Sequence, residues 1–134
     1  MRALEFRAWW KDKKRFLDGD EWYMTCSGAK HLHYAIMPYS DDDSIVEQYT
    51  GIKDKNGQKI YEGDIVSEEF EYGGDKTKTI WQVRWCDDEC AFELHYVSGF
   101  KVDDCSLYAD DEEDYEVIGN IHENKELLEA KNVD

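Results

Sequence analysis

At 134 residues the chain can bury a core as one domain, and at 41% hydrophobic and 14% aromatic it is too apolar to be disordered. Its 32 acidic against 16 basic residues give a formal net charge of −16, which disfavours nucleic-acid binding driven by a broad basic face. No stretch reaches the ~18 apolar residues of a membrane helix and no apolar signal core follows the first basic residues, so a cytoplasmic location is expected.

Leu4, Phe6 and Ala8 alternate with Glu5 and Arg7, the period of a half-buried strand that Trp9 and Trp10 close. Neighbours on a strand point to opposite faces, so only one of the two indoles can turn inward. The other is expected against a second layer or a neighbouring chain. Lys11 to Lys14 reads as a turn, Arg15 to Leu17 as the returning strand, and Asp18-Gly19-Asp20 as the next break. Glu21 to Thr25 and Lys30 to Met37 read as further strands, the second stopped by Pro38, which has no N–H for a ladder. Asp41 to Ser44 is a solvated loop, and Ile45 to Gln48 resumes extended structure.

Asn56-Gly57 is a strong hairpin signal, because both residues tolerate the positive φ of a type I′ turn. A second turn at Glu62-Gly63-Asp64 launches a strand to about Phe70, with Asp64 placed to accept from nearby backbone N–H groups. Gly51, Asn56, Gly57, Gly63 and Asp64 thus read as architectural. Gly73-Gly74 is a flexible tip. Thr77 to Trp85 is the clearest strand, with Trp81, Val83 and Trp85 on one face and Gln82 and Arg84 on the other. Cys86 to Glu89 turns the chain, and Ala91 to Val97 pairs back with Phe92, Leu94 and Tyr96 on one side. The segment from Asp103 to Asp114 holds seven acids and reads as an exposed loop. Tyr115 to Ile121 is a last strand, and Asn124 caps a short C-terminal helix through Leu127, Leu128 and Ala130.

Short strands with turn signals every ~8–12 residues predict a mainly β fold. The expected architecture is a small twisted sheet or partly open β-barrel, SH3-like in its second half, with a short C-terminal helix. One domain over residues 1–134 is expected, with a subdivision allowed near 45–50.

Three segments together resemble the YopX family of phage and prophage proteins. They are Phe6-Arg7-Ala8-Trp9 at the start, Tyr49 to Gly57 with Ile60 to Val66 in the centre, and Tyr115 to Asn124 at the end. The central segment is the specific one. Trp10 stands where an acid is commoner in that family, and Lys125 where a proline often follows the asparagine. Residues 67–112 match little beyond strand pattern. The resemblance implies a small bacteriophage accessory protein, mainly β, with no established enzymatic activity and no catalytic residues to transfer.

Chemistry-bearing residues are present without a signature. Cys86 and Cys90, with His95 and Cys105 beyond, only loosely approach zinc spacing, and Cys26 with His31 and His33 is a second such group. The bland reading, incidental thiols kept reduced in the cytoplasm, fits better. Asp103-Asp104 and Asp110 to Asp114 lack the spacing of a calcium loop and read as solvated. No Gly-x-Ser-x-Gly elbow occurs, Ser27-Gly28 has no identifiable base, and Gly73 to Thr77 only superficially resembles a phosphate loop. No catalytic, cofactor or metal residue is assigned.

Charge and aromatics remain. Residues 1–15 carry a local +4 and the other 119 carry −20, with Lys53, Lys55 and Lys59 a further small basic group. Five tryptophans and nine tyrosines exceed what a small core demands, and both residue types anchor protein interfaces. The expected function is a non-enzymatic protein–protein contact with a host or phage partner, with self-association a further expectation and direct nucleic-acid binding disfavoured. The rivals are an acidic mimic of nucleic acid that occupies a DNA- or RNA-binding protein, an enzyme built on Cys or His, and an RNA-binding β surface.

Overall fold

Alternating apolar residues and tight turns give nine strands and one short helix in the computed structural model, which describes residues 5–11, 13–17, 44–107 and 114–129. The fold is mainly β, as its sequence pattern predicts. In chain order the elements are β1 (Phe6–Trp10), β2 (Arg15–Phe16), β3 (Ser44–Lys53), β4 (Lys59–Tyr61), β5 (Asp64–Tyr72), β6 (Asp75–Cys86), β7 (Ala91–Gly99), β8 (Cys105–Ser106), β9 (Tyr115–Asn120) and α1 (Lys125–Glu129). The strands expected over Glu21 to Thr25 and Lys30 to Met37 lie outside the described residues.

The chain divides into two compact units, Leu4–Gln48 and Tyr49–Asp134 with Met1–Ala3. In the smaller unit β1 pairs antiparallel with β2 and with the first half of β3. Ala8, Trp9 and Leu17 are buried, and the Trp9 ring meets Phe16 edge-on at 5.0 Å. Trp10 stays half-exposed, with the Arg15 guanidinium 5.3 Å and the Lys13 ammonium 5.8 Å from its ring centre. One indole in and one out is what strand geometry requires. Arg7 and Glu47 are direct cross-strand partners and form a 2.9 Å ion pair, with Glu47 only 3% exposed. A carboxylate that deep needs such a partner.

In the larger unit the strand order is β8-β7-β6-β5-β9, every pair antiparallel, and the second half of β3 pairs with β4. The core gathers Ile60, Val66, Trp81, Val83, Leu94 and Tyr115. Trp81 and Tyr115 are each 1% exposed. Burying one such ring removes roughly 150–250 Å² from water, worth an upper estimate of about 4 kcal/mol. The indole N–H of Trp81 is not wasted: it donates to Glu68 Oε1 at 3.0 Å. β3 carries two residues more than β4 between the Tyr49↔Tyr61 and Lys53↔Lys59 pairs. Thr50 Oγ1 fills the gap, donating to the Ile60 carbonyl and accepting from Ile52 N–H.

Two local expectations, on the acidic segment and on Asn124, are corrected. The acidic segment after Asp103 is not all loop, because Cys105 and Ser106 pair with Leu94 and Glu93 as β8. Trp85 shares a strand face with Trp81 and Val83 yet is 41% exposed, since it sits at the sheet's end, stacked edge-on with Phe92. Asn124 precedes α1, but its side-chain Oδ1 turns back to accept from Asn120 N–H at 3.1 Å, while Leu127 N–H donates to the Asn124 backbone carbonyl.

Candidate functional site

Two hairpin tips of the larger unit build its most distinctive surface. At the first, between β3 and β4, Asp54 is 5% exposed. Its Oδ1 accepts from Asn56 N–H and Gln58 N–H, both at 2.9 Å, and its Oδ2 accepts from Val117 N–H on β9 at 3.0 Å. Lys55 N–H donates to the Tyr115 carbonyl at 3.0 Å. One carboxylate thereby folds the turn and ties it to β9. Gly57 N–H donates to the Asp54 carbonyl, so the turn runs from Asp54 to Gly57. Gly57 has φ +82°, and Asn56 is not among the residues of positive φ. The expected type I′ turn centred on Asn56-Gly57 is therefore replaced by a turn with Asp in its first position and Gly in its fourth. That arrangement suits a left-handed glycine after a type I turn.

At the second tip, between β5 and β6, Tyr72 and Asp75 pair across a two-residue loop. Gly73 and Gly74 have φ +63° and +88°, the two left-handed residues of a type I′ turn. Gly73-Gly74 is thus the tip of the β5–β6 hairpin, as its sequence suggests.

The strand ends leading into this second tip carry aromatics. The rings of Phe70 and Phe100 meet edge-on at 5.5 Å, and Tyr72 lies against Phe100 at 5.0 Å. Tyr72 is 64% exposed. Phe100 is anchored at both backbone groups: its N–H donates to the Lys78 carbonyl, and its carbonyl accepts from Thr79 Oγ1 at 2.7 Å. The Phe100 backbone is thus tied to β6, while Tyr72 faces outward. Phe70 also lines a shallow cleft of about 410 Å³ with Lys55, Glu69, Glu71, Lys76 and Asp114. Charges of both signs rim it. Lys78 stands across from Glu69 in a 3.7 Å ion pair, Lys76 across from Glu71, and Lys55 lies 3.8 Å from Glu116.

The other residues singled out in the sequence fall elsewhere. Asp64 is 2% exposed and its Oδ2 accepts from Tyr61 N–H at 2.8 Å. Gly63 donates its N–H to the Val83 carbonyl and accepts from Ile121 N–H. Cys86 and Cys90 flank the β6–β7 turn, Cys105 lies on β8 against the core, and His95 lies between Glu93 and Asp104. Among the described residues no three His, Cys, Asp or Glu side chains converge on a point that could hold a metal ion. Cys26, His31, His33, Trp22, Ser27 and Asp110 lie outside the described residues. Among the described residues no helix is long and apolar enough to cross a membrane.

The family model described as YopX protein matches residues 5–129. The chain belongs to the YopX family. The match takes in both hairpin tips, including the Asp54 turn of the central segment. The crystal structure of protein EF1440 from Enterococcus faecalis is similar to this YopX-family chain at 25% identity and a TM-score of 0.57, covering 96% of this chain and 99% of that one. No match was found among curated proteins.

Sequence reasoning missed Asp54 and Phe100. An Asp-x-x-Gly spacing was available as a turn signature for Asp54. Nothing local marks Phe100, whose partners stand thirty and twenty-eight positions earlier on another strand.

Proposed function

We propose that this YopX-family protein acts by protein–protein contact, without catalysis, as a small bacteriophage or prophage accessory protein in the cytoplasm of its bacterial host. The observation that carries this reading is the Phe70–Tyr72–Phe100 cluster, in which the rings pack on one another and Tyr72 is 64% exposed. Interfaces place aromatic anchors at their centre and polar groups at the rim, and a pre-ordered ring loses little entropy on binding.

The net charge of −16 favours a second reading, an acidic mimic of nucleic acid that binds a host DNA- or RNA-binding protein. The cross-strand pairs Glu69↔Lys78 and Glu71↔Lys76 interrupt any acidic ridge on the hairpin face opposite Phe70 and Tyr72.

The test is quantitative affinity capture from host extract with the full chain and with Tyr72→Ser. Contact through the aromatic cluster predicts a discrete partner whose recovery falls at least about tenfold in the variant, as for an interface anchor, and survives moderate salt. Capture unaffected by Tyr72→Ser but abolished by salt or by competing DNA supports the mimic instead. Sedimentation of the purified chain over a concentration series reads self-association through the same surface.

A further inference from the structure

We infer that the larger sheet carries a built-in closure against strand pairing with a second copy of this chain. The side-chain oxygens of Asp54, Asn124 and Asp104 take N–H groups that its outer strands would otherwise offer to a neighbour. In an antiparallel ladder the N–H and C=O of one residue point to the same side, and alternate residues share that side. β9 turns one such row to β5 and the other outward. On the outward row the Tyr115 carbonyl accepts from Lys55 N–H and Val117 N–H donates to Asp54 Oδ2, both at 3.0 Å. Further along, Asn120 N–H donates to Asn124 Oδ1 at 3.1 Å, and the Asn120 carbonyl accepts from Asn124 N–H at 3.0 Å. Asn124 thus meets both backbone groups of Asn120, as a paired strand residue would. The approach is close: a Cβ on Gly119 would stand 2.5 Å from Asn124 Oδ1.

The other end of the sheet follows the same plan. β7 turns the row of Phe92, Leu94 and Tyr96 away from β6. Leu94 pairs with Cys105 on β8, and the Phe92 carbonyl accepts from Leu107 N–H at 3.1 Å. β8 is two residues long and does not reach Tyr96. There Tyr96 N–H donates to Asp104 Oδ1 at 2.7 Å, so a carboxylate continues the row where the strand stops.

A strand added at an edge satisfies that edge and presents a new one, whereas a side-chain oxygen satisfies one N–H with no further row behind it. An incoming strand would also have to displace or bury a carboxylate at Val117 and at Tyr96, which is costly. The occupant kept out is a second copy, because an opened antiparallel edge is its own complement about a two-fold axis. The closure rests on none of Phe70, Tyr72 and Phe100. It leaves side chains, not edge backbone, as the means by which this sheet meets a partner.

The experiment is sedimentation velocity over a concentration series, with amide exchange by NMR, on the full chain carrying Tyr72→Ser. That background removes contact through the aromatic cluster, so the outcome is separate from the function proposed above. Asp104→Ala removes the acceptor of Tyr96 N–H, and Asn124→Ala that of Asn120 N–H. Asp104→Asn and Asn124→Asp keep an oxygen at each place. Asp54 is spared, since it also folds its own turn. Each alanine variant is expected to speed exchange of its own amide in dilute protein and to tighten self-association, each by about fivefold, the worth of one net hydrogen bond. Protection of that amide should return as the dimer fills. The oxygen-keeping variants should match the Tyr72→Ser chain. An unchanged Gly63 amide, bonded to the Val83 carbonyl, shows that each variant is folded. Alanine variants that associate no more than their oxygen-keeping counterparts, at either edge, overturn the proposal.

Discussion

The two hairpin tips of the larger unit reach the same reversal by different means. At β5–β6 the work is done by backbone chirality: Gly73 and Gly74 both sit left-handed, and neither would bring a Cβ within 4 Å of another atom. At β3–β4 it is done by one buried side chain, whose two oxygens accept three backbone N–H groups. The β5–β6 tip is local and self-contained. The β3–β4 tip is a joint, because the Asp54 carboxylate also binds β9. A turn made by glycine alone can project freely and present what flanks it. A turn made by a shared carboxylate is locked to its neighbour.

The largest effect is expected where that joint is cut. Asp54→Ala removes the acceptor of three N–H groups and should lower stability by about 3 kcal/mol, read from the urea midpoint with an unchanged slope. Exchange protection at Val117 should fall with it. A loss below about 0.5 kcal/mol would place Asp54 with ordinary surface residues and end the contrast between the tips.

A smaller effect is expected at the glycine tip. Gly74→Ala should cost about 1–2 kcal/mol through backbone strain alone, because φ is +88° and there is no atom to collide with. Gly73→Asn, at φ +63°, should stay within about 0.5 kcal/mol, since Asn accepts the left-handed region. The smallest effect is expected at Asn56. Its backbone N–H, not a left-handed backbone, is what the turn uses, so Asn56→Ala should change stability by less than about 0.5 kcal/mol. A cost near that of Gly74→Ala would restore a type I′ turn at Asn56-Gly57.

These positions also mark how far the sequence could be read. The strand pattern of β6 and β7 was legible because Trp81, Val83, Phe92 and Leu94 obey a strict period of two over a buried face. The YopX-family resemblance rested on residues that the structure places in β1, in the β3–β4 hairpin with the start of β5, and from β9 to the start of α1. The turn type at Asn56-Gly57 was not legible, because a dipeptide preference of order 1 kcal/mol was overridden by an aspartate two positions earlier that satisfies three donors. The Phe70–Tyr72–Phe100 cluster and the cleft were not legible either. Their residues come from separate strands and meet only through register, which a single sequence does not print. The acidic stretch hid β8 because composition says solvated while Cys105 packs on the core.

The most direct measurement sets the two tips against each other in the host cell. A photo-crosslinking phenylalanine analogue is placed at Tyr72, in the aromatic cluster, or at Gln58, at the locked tip, and adducts are resolved after illumination. A discrete protein adduct is expected from position 72 and none of comparable yield from position 58. Adducts from position 58 alone, or from neither position, would contradict it.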